Sequence, residues 1–95
     1  MTTIPTRRAT IEDLAAVVPL FDAYRQFYRQ PTDLPLARRF IEERLRRNES
    51  VLLVAESGTR TLVGFCQLYP TFCSVRAAPT YVLYDLFVKI GRAHV

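Results

Sequence analysis

The apolar residues of this chain change their period once, and that change limits the folds open to it. Between Thr10 and Arg47 they recur mostly at intervals of three and four, whereas from Val51 onward they gather in blocks of strand length. Leu14, Val17, Val18, Phe21, Tyr24, Phe27 and Tyr28 make one helical stripe through about residue 29. Thr10-Ile11-Glu12-Asp13 heads it like a capping box, with a hydroxyl for an early helical N–H and acids facing the positive end of the helix dipole. Pro19 lacks an N–H and is expected to bend the helix. Gln30-Pro31-Thr32-Asp33 breaks it, and a second helix follows with Leu34, Ala37, Phe40, Ile41 and Leu45 on its buried face, ending at Asn48 to Ser50.

The second half reads as strands. Val51 to Glu56 and Thr61 to Leu68 flank the Gly-containing link Ser57-Gly58-Thr59-Arg60, so the two runs are expected to pair antiparallel. Tyr69-Pro70 marks a bend and Ser74 to Pro79 a loop. Thr80 to Val88, rich in β-branched and aromatic residues, is a further strand. Ile4 to Ala9 supplies a first edge strand, where Pro5 is tolerable. The expected class is α+β, in the order β-α-α-β-β-β with a mainly antiparallel sheet.

Composition narrows the function classes. With 49% hydrophobic and 23% charged residues, the chain reads as globular and not disordered. No run of about 18 apolar residues marks a membrane span, and Met1 to Arg8 has no apolar core of a signal peptide, so a cytoplasmic location and no membrane partner are expected. The net charge of +4 suggests nucleic acid, but much of the excess lies in Arg38, Arg39, Arg44, Arg46 and Arg47, interleaved with Glu42 and Glu43. That is the solvated face of a helix, so no nucleic-acid partner is expected. Cys66 and Cys73 lie in apolar surroundings without a nearby histidine, which predicts buried free thiols and no metal site.

Ile90 to Val95 (IGRAHV) stand apart from the rest. Through one set of codons they resemble a translated sequencing-library adapter, with Lys89 as the junction. The expectation is that residues 1–88 are the N-terminal part of one domain and residues 89–95 a non-native tail. Without Lys89 and Arg92 the charge falls to +2, from 11 basic and 9 acidic residues.

The order of elements, with Thr6-Arg7-Arg8-Ala9-Thr10 at the first strand to helix junction, Val63-Gly64-Phe65 on the third strand and Tyr84-Asp85-Leu86-Phe87-Val88 on the fourth, resembles the first half of a GNAT-type N-acetyltransferase. Phe21 to Tyr28 and Leu68 to Phe72 are similar to a bacterial subgroup of that family. The resemblance covers residues 4 to 88 and implies acetyl-CoA as co-substrate and a small-molecule primary amine as acceptor. It also implies that Leu86, Phe87 and Val88 meet the pantetheine arm through main-chain groups. The family's next element is a glycine-rich loop opening a helix, which holds the pyrophosphate. Gly91-Arg92-Ala93 does not match its spacing, so the fragment alone is expected to be inactive.

Acetyl transfer needs a neutral amine, hence a group that takes its proton. Asp85 is the only acid after Glu56. It is expected to act as base through water or to orient a cationic amine, against the plainer reading of a carboxylate paired with a nearby donor. Tyr84 stands where some polyamine-acetylating relatives carry glutamate, and its hydroxyl would line the acceptor site. Arg25 and Tyr28, one turn apart near the end of the first helix, would border the same pocket, with Arg25 gripping a substrate carboxylate. Tyr69 and Phe72 are read as pocket wall or core. Two other readings remain: a small basic α+β module binding RNA or a protein partner, and a short relative that dimerises through the exposed fourth strand.

Overall fold

The computed structural model describes residues 4–58 and 61–89. The elements follow as β1 (Thr6–Arg8), a 3-10 turn (Ile11–Asp13), α1 (Leu14–Phe27), α2 (Leu34–Arg46), β2 (Val51–Ser57), β3 (Thr61–Cys73) and β4 (Ala78–Val88). The four strands form one sheet in the order β1-β2-β3-β4, and every pair is antiparallel. This is the expected class and order.

Local chemistry sets the helix ends. Thr10 Oγ1 accepts from the Glu12 N–H at 3.3 Å, and Asp13 Oδ2 accepts from the Thr10 N–H at 2.7 Å. α1 runs unbroken through Pro19. Asp33 caps α2 by accepting from the Leu36 N–H at 3.1 Å. Both helices end on a left-handed residue without using glycine. After α1, Arg29 has φ 67°, with Gln30 N–H donating to Arg25 O; after α2, Asn48 has φ 53°, with Glu49 N–H donating to Arg44 O. These are Schellman closures that satisfy the last helical carbonyls.

Both helices pack on one face of the sheet. Val17, Ala37, Ile41, Leu52 and Val54 are at most 2% exposed and form the centre of the core, with Leu14, Phe21 and Phe65 around them. Burying side chains of this size contributes on the order of 2 kcal/mol each. The helical stripes outlast this core. Phe27, Tyr28 and Leu34, expected inside, are at least half exposed because α1 and α2 overrun the face that β2 and β3 supply at those ends. The opposite sheet face carries Leu53, Cys66, Leu86 and Val88, and a shallow cavity of about 250 Å³ lies over it.

Three strand expectations change. Tyr69-Pro70 is no bend: β3 continues to Cys73. β2 pairs with β3 only as far as Leu68, so Pro70 has a single neighbouring strand and its missing N–H leaves no gap in the sheet. The loop is also shorter than expected, with β4 starting at Ala78 and the turn closed by the Ala77 N–H donating to Ser74 O. Residues 69–73 and 78–82 therefore form a two-stranded ribbon beyond β2. Cys66 and Cys73 are free as expected, but half-buried and not buried. Burial, with the nearby Asp85 charge, raises the Cys66 thiol above its ordinary range.

Among the described residues no helix is long and apolar enough to cross a membrane, and no group of His, Cys, Asp and Glu is placed to hold a metal ion. The expected tail, residues 90–95, lies outside the described residues.

Candidate active site

The site is built where β4 breaks its own alternation. Asp85 pairs with Gln67 and Leu83 with Leu68, so Tyr84 has no partner on β3. A bulge of this kind resets the side-chain parity of a strand. Tyr84 and Asp85, neighbours that a regular strand would send to opposite faces, both line one cavity of about 750 Å³ on the helix side of the sheet. Phe21, Tyr24, Arg25 and Tyr28 of the α1 region, Phe40 of α2 and Tyr69 of β3 supply much of the remaining wall. Of the expected pocket aromatics, Tyr69 is there, in edge contact with Tyr84 at 5.6 Å, whereas Phe72 points away and is 79% exposed.

Asp85 is held from two sides. The Tyr24 hydroxyl donates to Oδ1 at 2.8 Å, and the Gln67 amide donates to Oδ2 at 3.2 Å. Gln67 is fully buried, and its own Oε1 accepts from the Ser50 hydroxyl at 2.8 Å. The chain Ser50, Gln67, Asp85, Tyr24 therefore fixes the carboxylate while leaving lone pairs on both oxygens. Burial first, and the Asp85 hydrogen bond and charge second, push the Tyr24 hydroxyl well above its ordinary value. Tyr24 accordingly stays a donor to Asp85 at neutral pH. Burial and the Asp85 charge raise Tyr69 in the same direction.

Arg25 lines the same cavity and makes no side-chain hydrogen bond or ion pair among the described residues, and its Nη1 is buried without a partner. Arg7, Arg38, Arg44 and Arg46 are all ion-paired to carboxylates. On α2 the charges are interleaved, and Arg38, Arg44 and Arg46 are paired with Glu42, Glu43 and Glu49.

The end of β4 meets this cavity at its rim. The Lys89 N–H donates to Val63 O at 2.7 Å, so residues 63 and 89 are a hydrogen-bonded pair of the antiparallel ladder. Alternation along the ladder makes Phe65 with Phe87 another such pair, while Leu86 and Val88 turn their main-chain groups to the open edge. The expectation for residues 86–88 is sharpened accordingly: Phe87 spends its main-chain groups on β3, and its ring packs on Tyr24 and Phe65. Gly64 is required beside this stretch, because a Cβ there would stand 2.9 Å from the Phe87 carbonyl oxygen. A second cavity, of about 350 Å³, lies among Tyr24, Phe27, Tyr28, Leu86, Phe87 and Val88. It shares Tyr24 and Tyr28 with the first.

The chain is 51% identical over 82 residues to YhfO, described as an uncharacterized N-acetyltransferase of Bacillus subtilis, the match covering 86% of this chain and 54% of that protein. The chain is similar in sequence and fold to GNAT-type N-acetyltransferases. A probable acetyltransferase of Haemophilus influenzae is 33% identical over 76 residues, covering 80% of this chain and 52% of that one. A crystal structure of a probable acetyltransferase superposes with a TM-score of 0.85 at 41% identity, covering 90% of this chain and 57% of the other. The chain spans about half the length of the curated relatives it matches. No family model matches it.

Asp85, Tyr84, Arg25 and Tyr28 come together in one cavity, and Leu86 and Val88 face the open edge beside it. Sequence reasoning placed Tyr24 in the core and passed over Gln67 and Ser50. Gln67 carried a signal: it has the inward parity of Phe65 in an apolar run, and a polar side chain at such a position needs a buried partner.

Proposed function

We propose that this chain carries the acceptor side and the first cofactor strand of an enzyme that transfers acetyl from acetyl-CoA to a small primary amine. The observation that carries the reading is the meeting of two cavities at Tyr24 and Tyr28, one walled by the fixed carboxylate Asp85 and the other by the open edge of β4.

In this reading the acceptor enters the larger cavity, and its ammonium group is drawn to Asp85. Asp85, or a water it holds, takes the proton that leaves the amine nucleophilic. Tyr24 and Gln67 keep the carboxylate oriented toward that task. Tyr84 and Tyr69 shield the amine from water. The donor supplies the electrophilic thioester carbonyl. Leu86 and Val88 at the open edge suit the amide groups of a pantetheine arm, with Phe27 and Tyr28 along its flank.

A titration of the chain with acetyl-pantetheine, followed residue by residue through its amide NMR signals, tests this. Leu86 and Val88 are expected to shift while Phe87, bonded to β3, moves least. An unchanged edge, or shifts confined to the opposite sheet face, would refute the reading. The rival of a basic module for RNA or a protein partner predicts retention on polyanions that salt abolishes. Its main support, the arginines of α2, is weakened by the pairing of Arg38, Arg44 and Arg46 with Glu42, Glu43 and Glu49.

A further inference from the structure

Arg25 is out of keeping with the rest of the cavity. The wall is mostly aromatic and apolar, yet it contains one guanidinium with no protein partner and one carboxylate, Asp85, whose donors are neutral. Asp22, the acid whose titration responds to the Arg25 charge, does not neutralise it through an ion pair. Its oxygens are filled by the Gln26 amide, the Thr32 hydroxyl and the Asp33 N–H. A buried guanidinium nitrogen without an acceptor is destabilising, so a group of this kind is maintained against stability.

We infer that the acceptor is an amine that also bears a carboxylate, an amino acid with an apolar body, whose carboxylate pairs with Arg25 while its ammonium faces Asp85. This inference rests on the acceptor reading above and specifies its substrate class. The guanidinium presents parallel donors that match a carboxylate edge, and a turn of the side chain brings the sealed Nη1 into that pair. The aromatic residues that line the same cavity, Tyr24, Tyr28, Phe40 and Tyr69, take up the apolar body. Opposite charges at two places on one cavity fix the orientation of a zwitterion. A plain amine would leave the guanidinium unpaired in a site it has partly dehydrated.

Calorimetric titration of the chain with phenylalanine, phenylalaninamide and β-phenylethylamine tests this, because the three share a ring and an amine and differ at the carboxyl group. Phenylalanine is expected to bind at least tenfold more tightly than the other two. Arg25→Gln removes that preference by weakening phenylalanine binding without weakening that of the amide and the amine, and Arg25→Lys restores part of it. Equal binding of the three ligands, or a preference that survives Arg25→Gln, overturns the inference and leaves the amine acceptor standing. Binding of none of them overturns both.

Discussion

Asp22 on α1 and Asp85 on β4 are two carboxylates, each with its oxygens occupied by uncharged donors, and they do opposite things. The partners of Asp22 lie within eleven positions of it in sequence: Gln26, Thr32 and Asp33. It is 3% exposed and ties the end of α1 to the start of α2. The partners of Asp85 are Tyr24 and Gln67, 61 and 18 positions away, and its surroundings open on the 750 Å³ cavity. Local donors that close around a carboxylate make a staple. Distant donors that hold a carboxylate at a cavity wall make a tool, because they fix its orientation and still leave it reachable.

The contrast can be broken by substitution. The largest effect is expected from Asp22→Ala, which strands the Asp33 N–H and the Thr32 hydroxyl and should lower unfolding stability by about 3 kcal/mol in denaturant titrations. The Asp33 N–H and Thr32 hydroxyl bonds hold the Asp22 carboxyl below its ordinary value in the folded chain. Its contribution is therefore present above about pH 4 and is lost as the pH falls through the folded value, and Asp22→Asn should flatten that acid limb. Asp85→Asn should act the other way round. Amine affinity falls about tenfold by calorimetry, roughly 1.4 kcal/mol, while stability changes by less than about 1 kcal/mol.

Tyr24→Phe sharpens the comparison from the donor side. The Tyr24 hydroxyl titrates well above its ordinary value in the folded chain, so its stabilising contribution is complete below about pH 10 and declines as the pH rises toward the folded value. Thermal melts between pH 8 and pH 11 should show this alkaline fall in the parent chain and a reduced one in Tyr24→Phe. Ser50→Ala should give the smallest effect, about 1 kcal/mol of stability, by removing the donor to Gln67 Oε1. If Ser50→Ala lowered amine affinity as much as Asp85→Asn, the carboxylate would depend on its outer partners more than its geometry implies.

How far these two sites were legible in the sequence differs for the same physical reason. Periodicity and capping residues are local, and they located α1, α2 and the apolar strand runs within a few residues. The Asp22 staple was local too, but it gave no separate signal within an apolar helical stripe. The Asp85 site is non-local. It depends on the bulge at Tyr84, which no alternation pattern announces, and on a tyrosine from α1 that reads as ordinary core. The exposure of Phe27 and Tyr28 was hidden for a related reason: a stripe states which face of a helix is apolar, not how far the sheet beneath it extends. Pro70 misled in turn, because a proline interrupts a sheet only where a neighbouring strand needs the N–H it lacks.

The overhang of β3 and β4 has a consequence for how occupancy of the cavity would be seen. Tyr69, Pro70, Thr71 and Val82 line it, and all four belong to the ribbon that β2 does not reach. Two strands alone are marginal in water, so the amides of this stretch should trade hydrogen for deuterium sooner than those of β2 and the inner part of β3. A ligand seated against them damps that opening. Slowed exchange at residues 69, 71 and 82 would then report a filled cavity even when no chemistry follows.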